Sequence, residues 1–550
     1  MNSFNLSAEI WRDTSLLSST DQPASIDDLQ PTESNHGVLD PKTYEAVEAE
    51  ALFAKINYTK TKIGKLVLYR SLVHTVSTAP VVQQKQAGLQ EVAENPELFK
   101  ALSDYIDRLI VGEKLLHHLL YGEFVGGLTT NEPVAGSSKL EFGGHGYRQF
   151  KDGTQFVVDM VEAVNTLPDP KSLYLRELIT TINDFGKSRI YSLMQGPIFL
   201  AGGKFKTKKE KPRFLPLPRF RPSIFKWMPM LLFAIAVYGI LFAFETMLPD
   251  LGASYIGYGI LALTVPVFPI IMLAIGVSDR DSVIYPLRKQ FRQSPELARV
   301  MKALGLLDEL MSIHRYAQSF DGDKVLPDVI AKKHHLLTAI KARNPILIDD
   351  IPDYVPNDIL LDAEDRLVII TGPNSGGKTA YCKTIAQIQL LGQMGCYIPA
   401  VKVQLVPVDH IYYQVPDPGQ LDEGMGRFGH ELKRTREIFF NSTSRSLVVL
   451  DELSEGTTFE EKMTLSEYVL KGFHQLGATI LLVTHNHELC ERLQKENIGR
   501  YLQIEFKSEG STHRLIAGVS RVSHADRVAS KLGFSKEDVE KHVEKQREGK

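Results

Sequence analysis

At 550 residues the chain exceeds what one hydrophobic core holds, so several domains are expected. Its formal charge of −3 leaves no global signal for polyanion binding. Three cysteines, Cys382, Cys396 and Cys490, are too few and too scattered for a disulfide frame or a CxxC zinc site, which suits a reducing compartment.

In chain order, residues 1–38 are polar and lack the basic start and apolar stretch of a signal peptide; they are expected to form a flexible tail. Residues 39–200 read as the first part of a helical core. Helical runs over 39–120 break near 77–80 and at Asn95-Pro96, and Gly126, Gly136, Gly143 and Gly144 mark a connection or a small irregular region. A basic segment follows at 201–226, where Lys204, Lys206, Lys208, Lys209, Lys211, Arg213, Arg219, Arg221 and Lys226 accompany a single acid, Glu210.

Residues 227–244 and 253–277 are uncharged runs of 18 and 25 residues. At 1.5 Å per residue they reach about 27 and 37 Å, enough to cross a hydrocarbon core of about 30 Å. They predict a two-helix transmembrane hairpin over 227–277, its second span tilted or kinked at Pro266 and Pro269. Trp227, Tyr255 and Tyr258 suit a membrane interface, whereas Tyr238 falls mid-span. The turn carries only Glu245 and Asp250, while Arg280, Arg288, Lys289 and Arg292 follow the second span, so the positive-inside rule puts both flanks in the cytoplasm. The expected location is a cytoplasmic membrane, crossed twice. The competing reading is a pair of buried helices in a large core. The basic segment also has two readings, lipid headgroups or nucleic-acid phosphates, and its place beside a span favours lipid.

Residues 278–343 resume the helical core. Ser294-Pro295-Glu296 starts a helix whose stripe of Leu297, Val300, Met301, Leu304, Leu307 and Met311 is plain core spacing. From 344 to 550 the pattern becomes α/β. Val368-Ile369-Ile370 leads into Thr371-Gly372-Pro373-Asn374-Ser375-Gly376-Gly377-Lys378-Thr379, a buried strand feeding a glycine-rich turn and a helix, the sequence form of a phosphate cradle for ATP or GTP. Glycines let backbone N–H groups face the phosphates, Lys378 neutralises the β and γ oxygens, and the Thr379 hydroxyl ligates Mg2+.

Two more apolar strands end in polar residues: 447–450 in Asp451 and Glu452, and 480–483 in Thr484 and His485. Parallel strands bring such ends to one crevice. Asp451 then holds Mg2+ directly or through water, Glu452 is the general base, and His485 hydrogen-bonds the γ-phosphate or the attacking water. Each alone is more often an ordinary strand-end residue, and it is their joint order that argues for catalysis. No guanine-reading NKxD motif is visible, which favours ATP over GTP.

The turn over 371–379 closely resembles the phosphate loop of the MutS-type mismatch-repair ATPases. Val355-Pro356-Asn357-Asp358-Ile359 resembles that family's nucleotide segment before the loop. Asp451-Glu452-Leu453-Ser454-Glu455-Gly456-Thr457-Thr458 resembles its strand end, and Thr484-His485-Asn486-His487-Glu488-Leu489 its switch. Leu39-Asp40 and Thr61-Lys62-Ile63-Gly64-Lys65-Leu66 look like the start of its helical core. The likeness is specific over 345–540 and weaker over 39–120 and 284–343. It implies a composite ATPase homodimer in which hydrolysis of ATP with Mg2+ moves long lever helices. Gly426-Arg427-Phe428-Gly429-His430-Glu431 stands where the family usually has a Ser-Thr pair before Phe-x-x-Glu. Arg427 therefore either supplies the γ-phosphate contact in trans or is a surface salt-bridge residue. No mismatch-reading domain precedes Leu39, and the hairpin stands where relatives insert a DNA-holding clamp.

The expected whole is an α/β P-loop ATPase domain of the ABC/MutS-like kind, after a mainly helical lever region interrupted by the membrane hairpin. Its ATP cycle would drive dimer and lever-helix rearrangement. The alternative is a membrane-tethered DNA-binding repair or recombination protein, with DNA an open partner. A transporter subunit of the broader ABC type ranks last, because two spans are few for a substrate path.

Overall fold

The computed structural model describes residues 37–74, 78–121, 147–201, 203–210, 235–240, 242–243, 246, 280–348, 350–351, 353–373, 377–416, 426–453, 459–507, 510–520 and 533–548. The tail expected over 1–38 lies outside them up to residue 36, as do Asn374, Ser375 and Gly376 of the glycine-rich turn. Contacts divide the chain into two units, one of 1–29, 59–67 and 90–311 and the other of 30–58, 68–89 and 312–550.

The first unit is mainly helical. Pro96–Tyr121 and Tyr147–Val164 are its long helices, followed by Leu173–Phe185, Arg189–Gln195 and Tyr285–Arg292. Leu98, Leu102, Tyr105, Ile106 and Leu109 are buried on the first of these, and Phe150, Val157, Val161 and Val164 on the second, the spacing of one apolar face per helix. Phe199–Ala201 pairs antiparallel with Lys204–Lys206, burying Phe205 and leaving Lys204 exposed.

A helix starting at Lys62 draws its N-terminal partners from far along the chain. Asp308 accepts hydrogen bonds from the Lys60 N–H (3.0 Å), the Thr61 N–H (2.8 Å) and the Thr61 hydroxyl (2.8 Å). Glu113 accepts from the N–H groups of Lys62 (2.9 Å) and Ile63 (2.7 Å). Two carboxylates thus satisfy donors that a helix start leaves orphaned, at the positive end of its dipole. Asp308 is fully buried, and a Cβ on Gly64 would stand 2.2 Å from its Oδ2, so only glycine admits so close an approach. Burial pushes the Glu113 carboxyl above its ordinary value, against the two N–H groups, and the nearby Asp308 charge adds to the rise.

The second unit is α/β. Its strands are β1 (Asp328–Val329), β2 (Leu337–Ala342), β3 (Asn357–Leu361), β4 (Leu367–Thr371), β5 (Lys402–Leu405), β6 (Ile411–Gln414), β7 (Leu447–Asp451), β8 (Thr479–Val483), β9 (Arg500–Lys507) and β10 (Gly510–Ala517). Its later helices are α1 (Lys378–Gln393), α2 (Gly426–Asn441), α3 (Phe459–Leu476), α4 (His487–Lys495) and α5 (Lys536–Glu548). Six strands lie in the order β10-β9-β4-β8-β7-β6, parallel except for the antiparallel β9–β10 pair. A second sheet has the order β1-β5-β2-β3. Every residue of β4 and β8 is buried, which is why both read as uninterrupted apolar runs. Ile438, Leu450, Leu470, Phe473 and Leu482 join strands and helices in one core. Val483 pairs with both Ile370 and Asp451, so β4, β7 and β8 end at one level.

The start of the described chain is stitched into this unit. Leu39 bridges Ile411, and Asp40 caps the helix Pro41–Ala46 by accepting from the Thr43 N–H (2.8 Å). Asp40 also pairs with Arg434 of α2 at 2.7 Å in a nearly enclosed contact.

One expectation is corrected. Among the described residues no helix is long and apolar enough to cross a membrane, so the transmembrane hairpin over 227–277 is not supported. Its described helical residues fall between 235 and 246. The remainder of 227–277 lies outside the described residues. The two-span placement in a cytoplasmic membrane, and the lipid contact expected of 204–226 and 227–277, are withdrawn with it. An uncharged run is necessary for a span but does not suffice to make one.

Asp308→Ala leaves the buried donors around Thr61 without their acceptor. A loss of about 3 kcal/mol is expected, from the worth of hydrogen bonds to a charged group. Urea unfolding checks it, and a change under about 0.5 kcal/mol would contradict the anchoring role.

Candidate active site

The buried strand β4 delivers the chain to Gly372, at φ 128°, and the turn ends at Gly377, at φ 96°, directly before α1. Both values lie where side chains are strained, which explains glycine at the two ends of this turn. Lys378, 2% exposed, is the first residue of α1, and its ammonium donates to the Gly372 carbonyl. Burial pulls this ammonium below its ordinary pKa, while Asp451 and Glu452 oppose the shift.

Thr379 follows, and its hydroxyl donates to Asp451 Oδ2 across 3.2 Å. Burial pushes the Asp451 carboxyl up, as does Glu452, while Thr379, Lys378 and His485 oppose the rise. Two cis ligands of octahedral Mg2+ at about 2.1 Å stand about 3 Å apart. The Thr379 and Asp451 oxygens, both hard donors, have this separation, so they fit that ion.

Glu452 sits one step past β7 with φ 58°, a left-handed conformation unusual for a residue with a side chain. Its N–H donates to the Val483 carbonyl at 3.0 Å, fixing the turn against the end of β8. His485, two residues beyond β8, brings Nε2 to 3.0 Å from Glu452 Oε1. This hydrogen bond holds the Glu452 carboxyl below its ordinary pKa, against burial. Thr484 is held by its N–H to the Ile370 carbonyl (3.1 Å), and Asn486 caps α4 by accepting from the Leu489 N–H (3.1 Å). His485 is thus held between a sheet hydrogen bond and a helix cap.

Lys378, Thr379, Asp451, Glu452 and His485 therefore stand around the ends of three adjoining strands, with Gly372, Pro373 and Gly377 in the turn beside them. Arg427 lies in the first turn of α2, and its side chain is outside the described residues. One neighbour carries no motif in the sequence. His513 of β10, at φ 58°, has its Nδ1 3.3 Å from where a Cβ on Gly377 would be. Asn357 fixes it there, donating to the His513 carbonyl (2.9 Å) and accepting from the Leu515 N–H (2.8 Å). Nearby, the Tyr381 hydroxyl donates to the Asp358 carbonyl (2.9 Å), tying α1 to the same segment.

Residues 368–548 match MutS domain V. Endonuclease MutS2 of Thermus thermophilus is 30% identical over 259 residues, covering 47% of this chain and 34% of that protein. DNA mismatch repair protein MutS of Anaeromyxobacter sp. (strain K) is 30% identical over 262 residues, 44% of this chain and 29% of that protein. Its counterpart in Desulforamulus reducens is 33% identical over 201 residues, 36% of this chain and 23% of that protein. The chain spans about a third or less of the length of these curated relatives. The likeness rests on the segment that carries the phosphate turn and both polar strand ends: residues 368–548 match MutS domain V, and the chain is similar there to MutS and MutS2 proteins.

Proposed function

We propose that the chain binds ATP with Mg2+ at the ends of β4, β7 and β8 and hydrolyses it. The observation that carries this reading is the meeting of an ammonium, a hydroxyl–carboxylate pair and a carboxylate–imidazole pair at one strand level. Polyphosphate oxygens compete with the Gly372 carbonyl for the Lys378 ammonium, exchanging a neutral acceptor for a charged one. The ion held by Thr379 and Asp451 would supply charge neutralisation at the β and γ oxygens. Glu452, ionised at neutral pH, accepts a proton from the water that attacks the γ-phosphorus, and the bond from that phosphorus to the β-phosphate oxygen breaks as ADP leaves. His485 orients the Glu452 carboxylate, and His513 with Asn357 is positioned to bound the nucleotide on the far side of the turn. A homodimer is part of the reading, with Arg427 of one copy reaching the γ-phosphate in the other and the cycle moving lever helices. The support for that part is family likeness.

A second reading, contact with nucleic acid, is favoured by the exposed Lys204, Lys208 and Lys209 of the first unit. The similar proteins are an endonuclease and DNA mismatch repair proteins. If these lysines bind backbone phosphates, affinity for duplex DNA falls steeply with salt, by about 0.9 log unit per log unit of salt for each phosphate engaged. Lys208→Gln with Lys209→Gln should flatten that slope, and an unchanged slope would set the reading aside.

Glu452→Gln should lower ATP turnover by about 100-fold or more, the usual worth of a general base, while leaving ATP binding intact. Lys378→Ala should instead weaken triphosphate binding by about 10-fold or more, the worth of a charged hydrogen bond. Steady-state turnover beside a fluorescent-nucleotide titration separates the two, and turnover untouched by Glu452→Gln sinks the assignment.

His485→Ala removes the hydrogen bond that depresses Glu452, so the carboxyl pKa rises toward its ordinary value. The acid limb of the kcat/KM profile should then move to higher pH. If the limb stays in place as turnover falls, His485 acts elsewhere.

A further inference from the structure

The β9–β10 hairpin breaks register beside the phosphate turn. Ile504 pairs with Leu515 and Phe506 with Ser511, so Glu505 alone stands opposite Thr512, His513 and Arg514. Such a bulge gives up ladder hydrogen bonds and re-aims a side chain, and bulges gather at sheet edges and next to active sites. β10 is an outer strand, and its bulge lies at the level of Gly372, where a Cβ would stand 3.6 Å from the Ile504 nitrogen.

Side chains replace the partners that the ladder loses. The Ser511 hydroxyl accepts from the His513 N–H (3.1 Å), and the Thr512 hydroxyl donates to the Glu505 carboxylate (2.9 Å). Asn357 closes the outer side, donating to the His513 carbonyl (2.9 Å) and accepting from the Leu515 N–H (2.8 Å). Held this way, His513 keeps φ 58°, a conformation that glycine takes freely and histidine takes at a cost. Its side chain is exposed, so burial does not offset that cost.

The bulge aims the imidazole at the phosphate turn. His513 Nδ1 stands 3.3 Å from where a Cβ on Gly377 would be, and Gly377 is the N-cap of α1, one residue before Lys378. The N–H groups that open α1 favour an anion at this end of the turn. A ring N–H beside them adds a donor of the kind a phosphate oxygen takes.

We propose that His513 is a phosphate-contact residue, its ring N–H donating to a non-bridging oxygen of the bound nucleotide at the Gly377 end of the turn, with Asn357 a positioning residue that acts through it. The proposal rests on the nucleotide reading above and adds to it a residue that none of the sequence motifs marks. The contact is made to phosphates that ATP and ADP share, so it holds substrate and product alike and delays release of ADP.

Displacement of a fluorescent ATP analogue from the full chain, with Mg2+ present, reads the affinities for ADP and for pyrophosphate. His513→Gly fits the left-handed backbone, so it deletes the imidazole and keeps the bulge. It should weaken both ligands by the same factor, about tenfold, the worth of a hydrogen bond to a charged group. Asn357→Ala loosens the bulge instead and should weaken both by less, and the double variant should be no weaker than His513→Gly alone. Unchanged pyrophosphate affinity in His513→Gly, with or without a loss for ADP, overturns the phosphate contact and leaves the nucleotide site standing. Additive losses in the double variant overturn the role given to Asn357. A wild-type chain that binds neither ligand removes the nucleotide site and this contact with it.

Discussion

The buried Lys378 ammonium, on which the charges of Asp451 and Glu452 act, is the group on which the site depends. Burial pulls the pKa of an ammonium this enclosed down, and Asp451 and Glu452 oppose that shift. Burial pushes the Asp451 carboxyl up despite Thr379 and Lys378, whereas Glu452 is held down by its hydrogen bond to His485. Two adjacent acids thus differ in readiness to carry charge because burial dominates at Asp451 while the imidazole hydrogen bond dominates at Glu452. The first suits a group that becomes a full anion when a cation arrives, and the second a group that is an anion already.

The first unit solves a similar problem differently. Asp308 is fully buried, and around Thr61 backbone N–H groups and a hydroxyl are among its partners. Helix-start N–H groups are fixed dipoles that never dissociate, so such a carboxylate is a structural anchor with little reason to change partners. The Lys378 ammonium donates to a neutral carbonyl, which a charged acceptor can displace. Rigidity in one case and exchangeability in the other follow from the donors chosen.

Much of the α/β unit was legible because β4, β7 and β8 are buried on both faces and read as continuous apolar runs. The residues just past those runs had to sit at strand ends, and a parallel sheet puts such ends on one side. Contacts between distant segments were not legible. Asp40 and Arg434 stand 394 positions apart, and nothing in either neighbourhood announces the pair. His513 reaches Gly377 only through the register of β10 on β9 and the grip of Asn357, neither of which leaves a pattern in the sequence. The membrane reading was drawn from hydropathy, which reports only how apolar a run is, and no described helix is long and apolar enough to cross a membrane.

What fixes Lys378 in space is less visible still. Helix α1, which begins at Lys378, carries Gln387, Gln389 and Gln393 in positions that are fully or almost fully buried, where an amphipathic pattern calls for apolar residues. Each amide is committed. Gln387 donates to the Val47 carbonyl and accepts from Asn344, both at 2.9 Å. Gln389 donates to the Val406 carbonyl (3.0 Å), and Gln393 accepts from the Val408 N–H (3.1 Å). Leucines at these positions would bury as well but would tolerate sliding or rotation, because apolar contact has no direction. Amides lose their hydrogen bonds on a shift of about 1 Å, and an orphaned buried amide costs about 1–3 kcal/mol. The glutamines therefore exchange generic adhesion for a single permitted position of α1, and through it for the place of Lys378 against the strand ends.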